Sequence, residues 1–161
     1  MWLHFFAYGV FGWCAEIVWT ACYDAVTGTR RASISDVSRV PITPRERAVL
    51  LGRTYLWMLP LYGAGVLFGF EPLHDAVRSL AWPLRGGLYA GAFFAAEAGV
   101  GLLFKRLLGR CPWDYSYART NLLGVIRLDY APVWFAVGLL MERVHDLLRA
   151  LDAPLRAALA G

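Results

Sequence analysis

The chain has 161 residues, of which 58% are hydrophobic and only 17% charged, with a net charge of +4 and a mean hydropathy of +0.47. Soluble domains carry roughly 25% charged residues, so this composition excludes an ordinary soluble enzyme and points to one integral membrane domain spanning residues 1–161. The small positive charge needs no nucleic-acid partner, because basic flanks of membrane helices account for it.

The first apolar stretch, 2–23, has no basic region ahead of it and is too long for a cleaved signal, so it reads as a retained helix. Glu16 shares a helical face with Gly9, Gly12 and Thr20, a small and polar face suited to a bundle interior. Cys14 and Cys22 stand two turns apart on this helix and cannot bridge each other, and with Cys111 they read as free thiols. The loop 24–53 holds six Arg, with Pro41 and Pro44 marking irregular backbone. Its Arg-Arg-Ala-Ser run at 30–33 reads as a solvated basic flank. A second stretch, 54–70, carries Pro60, Tyr62 and Gly63. A third, 86–104, carries Glu97 and a stripe of Gly87, Gly91, Ala95 and Gly99 suited to close packing against a neighbour or a second copy. Lys105-Arg106 closes it. The fourth, 122–142, takes Arg127 and Asp129 into the bilayer near its start. Each approaches the roughly 20 residues that cross a bilayer core. The expected fold is therefore all-α, a four-transmembrane-helix bundle. The tail, 143–161, places Leu147, Leu148, Leu151, Leu155 and Leu159 at helical spacing and reads as an amphipathic segment along the interface. The first and third loops hold eleven basic residues against five on the other side, which puts them in the cytoplasm and both termini outside. Of the 16 basic residues 15 are Arg, as in GC-rich bacterial genomes, so the expected location is a bacterial cytoplasmic membrane.

The two halves resemble each other. Tyr8 precedes Glu16, and Tyr89 precedes Glu97, by eight residues. Pro60 leads to Glu71-x-x-His74-Asp75, and Pro132 to Glu142-x-x-His145-Asp146. Two tandem two-helix repeats, related by an axis along the membrane normal, would produce this pattern.

Counting from the cytoplasmic edge, Glu16, Glu97, Arg127, Asp129, Pro60 and Tyr62 fall in one layer about 10 Å deep. A carboxylate at that depth must be paired, hydrated or protonated. Two readings stay open: a network in which Arg127 neutralises one Glu and fixes helix register, or a pocket for a cation, a proton or a cationic headgroup. The set Glu16, Glu97, Glu71/His74 and Glu142/His145 also matches the ligand inventory of a di-iron bundle. Depth argues against it, because Glu71 and Glu142 fall at outer span ends, on the order of 15–20 Å away, and Pro72 interrupts the helical spacing. These residues read as interfacial caps. No metal, cofactor or catalytic residue is expected: no GxSxG, Walker or HExxH motif and no zinc-type Cys/His spacing is present.

Three segments carry a resemblance: Gly52-Arg-Thr-Tyr-Leu-Trp-Met-Leu-Pro-Leu-Tyr-Gly63, Cys111-Pro-Trp-Asp-Tyr-Ser116 and Leu128-Asp-Tyr-Ala-Pro-Val-Trp134. With Glu16, Glu97 and Asn121-x-x-Gly124-x-Ile126, they make the chain resemble the transmembrane protein 229 family and the related bacterial family labelled type IV ABC-transporter permeases. The single Trp before Asp114 is nearer the 229-type pattern. The resemblance implies a multi-pass membrane protein; as a permease it would need an ATPase partner subunit, since this chain has no ATP-binding motif.

The expected function is a small transport or carrier subunit, permease-like and not an enzyme, working in the lipid bilayer as a homo-oligomer through its glycine-rich faces. Its binding residues would be Glu16, Tyr62, Glu97, Asp114, Asn121 and Arg127. Pro60, Gly63, Gly87, Gly91, Gly99, Trp113 and Tyr115 would be structural, with Trp113 and Tyr115 at headgroup level. The alternatives are a small lipid-modifying enzyme, with Glu97 or Asp114 as general base and Tyr62 or Arg127 on the headgroup, and a membrane scaffold.

Overall fold

The computed structural model describes residues 2–32 and 38–160, without the side chains of 155, 156, 159 and 160. Ser33 of the basic run, and the side chains of Leu155 and Leu159 in the tail, thus lie outside the described residues. Helix α1, Trp2–Thr27, has no proline to interrupt it and ends at Gly28 (φ +66°), whose left-handed backbone stops the helix. An antiparallel hairpin follows, β1 Thr29–Arg31 with β2 Arg39–Pro41. Next comes the short α2, Pro44–Val49, started by a capping box between Thr43 and Glu46. The second long helix is built from α3 Met58–Ala64, a π turn Gly65–Phe70 and α4 Glu71–Val77. Helix α5, Trp82–Leu108, has Pro83 in its first turn and ends at Gly109. A two-residue hairpin, β3 Asn121–Leu122 with β4 Ile126–Arg127, and a 3-10 turn Leu128–Tyr130 lead into α6, Ala131–Ala160.

Helix limits differ from the expected ones in two informative places. The second helix runs past residue 70 to Val77, so Glu71 and His74 lie within it. The fourth starts at Ala131, not near 122: Gly124 takes φ +68° and Leu123 φ +56°, which turn the chain into a hairpin. Arg127 and Asp129 therefore precede the helix. The tail 143–161 is no separate segment, since α6 passes through Glu142 and His145 without a break.

The largest helix contacts pair α1 with α3 and α5 with α6. One core cluster joins the halves through Tyr8, Val66, Phe70, Val77, Tyr89 and Met141. The packing repeats with roles exchanged. Three residues before Tyr8, Phe5 fills the hollow at Gly63; three before Tyr89, Gly86 is the hollow and Phe135 fills it. Loops 24–53 and 109–130 meet at one end of the bundle, where Arg31 donates to the Pro112 carbonyl and Arg127 to the Tyr23 hydroxyl.

The π turn explains an irregularity in the repeat. Eleven residues separate Pro60 from Glu71, but ten separate Pro132 from Glu142. A π turn absorbs one extra residue inside a helix. Here it brings the first Glu-x-x-His motif back to the face that α6 reaches without one. Pro72, which lacks an N–H, sits in the first turn of α4 immediately after it and does not break the spacing.

Helices α1 and α5 are long and apolar enough to cross a membrane, and only 17% of the most apolar window of each is buried. A soluble core helix hides such a face. Here Phe6, Val10, Val18, Leu88, Leu102 and Leu103 are exposed, which fits a lipid surround.

The adjacent Gly86 and Gly87 test the packing. A Cβ at Gly86 would lie 2.4 Å from the Phe135 ring, whereas one at Gly87 meets nothing within 4 Å. Gly86→Ala is expected to destabilise by about 1–3 kcal/mol, and Gly87→Ala to be neutral or to stabilise by up to about 1 kcal/mol. Thermal unfolding of both purified variants in detergent checks this; equal shifts would rule out the knob-in-hollow account.

Candidate functional site

Polar groups gather in two layers of the bundle. The inner one is reciprocal. The Tyr8 hydroxyl donates to Glu71 (2.7 Å) and lies 3.0 Å from His145 Nδ1. The Tyr89 hydroxyl donates to Glu142 (2.9 Å) and lies 2.9 Å from His74 Nδ1. Each half's tyrosine thus holds its own half's glutamate and the other half's histidine. The cations beside the glutamates differ. Arg85 grips Glu142 through two nitrogens (2.6 and 3.0 Å). At the matching position four residues before Tyr8, His4 faces Glu71 at 3.4 Å and Asp152 at 3.5 Å. Tyr8, Tyr89, His4, His74, His145 and Glu142 are all buried. The expectation that Glu71, His74, Glu142 and His145 are interfacial caps is therefore corrected: the second helix continues past residue 70 and carries Glu71 and His74 inside, where α6 brings Glu142 and His145.

Helix rise puts the second layer, Glu16 and Glu97, about 12 Å further along α1 and α5. Glu16 accepts from Thr54 (2.6 Å) and Tyr62 (3.0 Å), and Tyr62 lies within electrostatic reach of Glu97 as well. Gly12 makes room for the Tyr62 ring. Glu97 accepts from Tyr115 (3.1 Å) through one oxygen. Its other oxygen is buried with no hydrogen-bond partner. The buried Trp134 indole N–H also points at this carboxylate, from just outside ordinary hydrogen-bond geometry. Among the described residues no basic side chain pairs with either glutamate.

Residues 3–154 match the model of the family described as Putative ABC-transporter type IV. The chain belongs to that family. No solved structure matches it. The family and the two long apolar helices together fit a membrane location and a transporter-related role, and the family suggests transporter partner subunits.

In this family member the Cys-Pro-Trp-Asp-Tyr-Ser and Asn-x-x-Gly motifs build one loop. Asn121 bonds the Gly124 N–H and the Ala118 carbonyl, closing the turn. Gly124 is required there: its φ is positive, and a Cβ would lie 2.6 Å from Ser116 Oγ. Tyr115 N–H donates to the Gly124 carbonyl and Trp113 to the Val125 carbonyl. Asp114 accepts from the Ser116 N–H; burial alone would raise its pKa, but the Ser116 bonds and Lys105 hold it below the ordinary value. Cys111 is buried against α5, and burial pushes its thiol up to about 11, so it stays protonated and unreactive. The loop's reach into the bundle is Tyr115. Asp114 and Asn121 hold the loop's own shape.

Arg127 stands apart from both glutamates. It bonds Asp129 (2.7 Å) and the hydroxyls of Tyr23, Tyr117 and Tyr130, so the reading in which it neutralises an intramembrane Glu is corrected. Pro60 lies exposed on the second helix and Gly63 is buried under Phe5, while Gly87, Gly91 and Gly99 are exposed with open space beside them.

Hydrogen bonds from Arg127 hold the Asp129 carboxyl down to about 2, with Thr120 helping. The unfolded value is about 3.9. This stabilisation is thus fully present above about pH 4 and is lost as pH falls towards 2. Asp129 is exposed, so screening limits it to about 1 kcal/mol or less. Asp129→Asn is expected to be slightly less stable than wild type by a constant margin from pH 8 to 5, narrowing below pH 4. A margin independent of pH down to 2.5 would exclude the ion pair as its source.

Proposed function

We propose that the chain is a permease-like transport subunit that crosses the membrane four times and takes up a proton or small cation at Glu16 and Glu97. The observation that carries this reading is the uncompensated Glu97 carboxylate. It takes one hydrogen bond from Tyr115, has one buried oxygen that completes none, and has no basic side chain paired with it among the described residues, so its charge costs several kcal/mol in lipid. A proton on Glu97, or a bound cation, removes that cost. Tyr62 and Tyr115, each donating to one glutamate, are the groups that would respond to a change of charge there. Asp114, Asn121 and Arg127 contribute by shaping the loop above the layer, not by touching the bound species.

Four crossings are supported by length. Segments α3, π and α4, of 7, 6 and 7 residues laid end to end, span about 30 Å, and α6 is longer still. The basic loops gathered at one end support a cytoplasmic placement of that end. The open stripe Gly87, Gly91 and Gly99 is available to a second copy or to a transporter partner, an ATPase subunit among them. A lipid-modifying enzyme has less support, since the Ser116 hydroxyl beside Asp114 is bonded within the loop's own turn and the Cys111 thiol is buried and protonated.

Two measurements test the proposal. In infrared difference spectra between pH 5 and 8, purified wild type is expected to show a titrating protonated-carboxyl band that weakens in Glu97→Gln and in Glu16→Gln; a band unchanged in both variants would remove the site. Single cysteines at Ser79 and Arg119, in a chain with Cys14, Cys22 and Cys111 replaced, are expected to react from opposite sides of the membrane. Labelling from the same side would remove the four-span topology.

A further inference from the structure

We propose that His74 and His145 form a binding site for a divalent transition-metal ion of the zinc type, with Asp146 as a third ligand. The site lies in the inner layer and is independent of the reading given to Glu16 and Glu97.

Proton bookkeeping carries the argument. Each tyrosine hydroxyl has one hydrogen. Tyr8 donates it to Glu71 and Tyr89 donates it to Glu142. The contacts from Tyr8 to His145 Nδ1 and from Tyr89 to His74 Nδ1 must then be donated by the rings. Both histidines therefore carry a hydrogen on Nδ1, and in the neutral ring this leaves the lone pair on Nε2. A metal-binding histidine has this form: one nitrogen free for the ion, the other donating into a chain that ends on a carboxylate, which orients the ring and raises its basicity. Two such rings, arising at matching positions of the two halves, meet with centroids 5.1 Å apart.

One nitrogen of each ring and a carboxylate oxygen of Asp146 lie within 4.8 Å of one another. Tetrahedral zinc with bonds of about 2.0–2.1 Å needs its ligand atoms about 3.4 Å apart, so side-chain movements of about 1 Å close the site. Glu71, Glu142 and Asp146 stand around the pair, against Arg85 and against Arg149, which lies within electrostatic reach of Tyr8, so the surroundings stay net negative and suit a cation. Asp146 is exposed and the histidines are buried, so the ion has an entrance at Asp146 and a largely enclosed seat. Imidazole and carboxylate together suit zinc, nickel or cobalt better than calcium or magnesium.

The test uses the full-length protein in detergent, purified through a tag without histidine, stripped with chelator and dialysed against micromolar Zn²⁺ or Co²⁺. Wild type is expected to retain about one metal per chain by mass spectrometry of the metal, with the visible absorption of low-coordinate Co²⁺. His74→Ala and His145→Ala should each weaken binding at least a hundredfold. Tyr8→Phe and Tyr89→Phe keep every ligand but lose the relay, and should weaken it about 10–100-fold. His4→Ala should leave it within threefold. Wild type holding less than a tenth of a metal per chain would overturn the site, whatever the variants do. So would equal binding by the His74→Ala/His145→Ala double variant, or a loss in His4→Ala as large as that in His145→Ala.

Discussion

The fold depends on a reciprocal hydrogen bond across its centre. Tyr8 and Tyr89 each satisfy a glutamate of their own half and a histidine of the other. A buried phenol, carboxylate and imidazole are individually costly in an apolar interior, and each here removes the others' cost. The pairing is also a registration device. The histidine of the first half, His74, meets the tyrosine of the second, and His145 of the second meets the tyrosine of the first. Four greasy helices with little to distinguish one sliding register from another are thereby given one.

That requirement accounts for the less regular parts of the backbone. The first half carries one more residue than the second between its proline and its glutamate. A plain α-helix would rotate Glu71 and His74 about 100° away from the centre, at 3.6 residues per turn. The π turn at Gly65–Phe70 prevents this. Gly65 and Gly69, both within this turn, have open space beside them. The exchanged roles of Phe5/Gly63 and Gly86/Phe135 show the same tolerance: the geometry of contact is kept while the side that supplies the bulk changes.

Much of this was visible in the residues, and the misreadings have identifiable causes. The repeated Tyr, Glu and Glu-x-x-His spacings were legible because helix period ties sequence distance to face. Their meaning was lost when depth was counted from a second helix ending at residue 70. Seven more helical residues move Glu71 from an edge to the interior. Arg127 falls in the bilayer on the sequence reading because Tyr130–Met141 alone is too short to cross. The contrary signal was Asn121-x-x-Gly124, a turn in which the Asn side chain bonds the Gly N–H. Asp114 drew attention as the charged member of its motif, yet the residue that reaches Glu97 is its neighbour Tyr115. A lone His4 near the start of the chain offered no pattern at all. Only the three-dimensional match with Arg85 shows what it does.

That match leaves the two halves unequal in charge. Glu142 faces a guanidinium that stays charged at any physiological pH, so its balance is fixed. The basic groups within 4 Å of Glu71, among the described residues, are imidazoles, His4 and His145, at 3.4 Å each, and His4 in turn lies 3.5 Å from Asp152. The inner layer thus pairs a glutamate gripped by a guanidinium with one flanked by imidazoles, while the hydrogen bond from the tyrosine of the same half is kept in both. A symmetric scaffold with two arginines would serve packing equally well. Replacing one of them by histidine gives up a strong ion pair in a place where an uncompensated charge costs several kcal/mol. The framework tolerates that exchange because Tyr8 donates to Glu71 just as Tyr89 donates to Glu142, whichever cation stands beside the carboxylate.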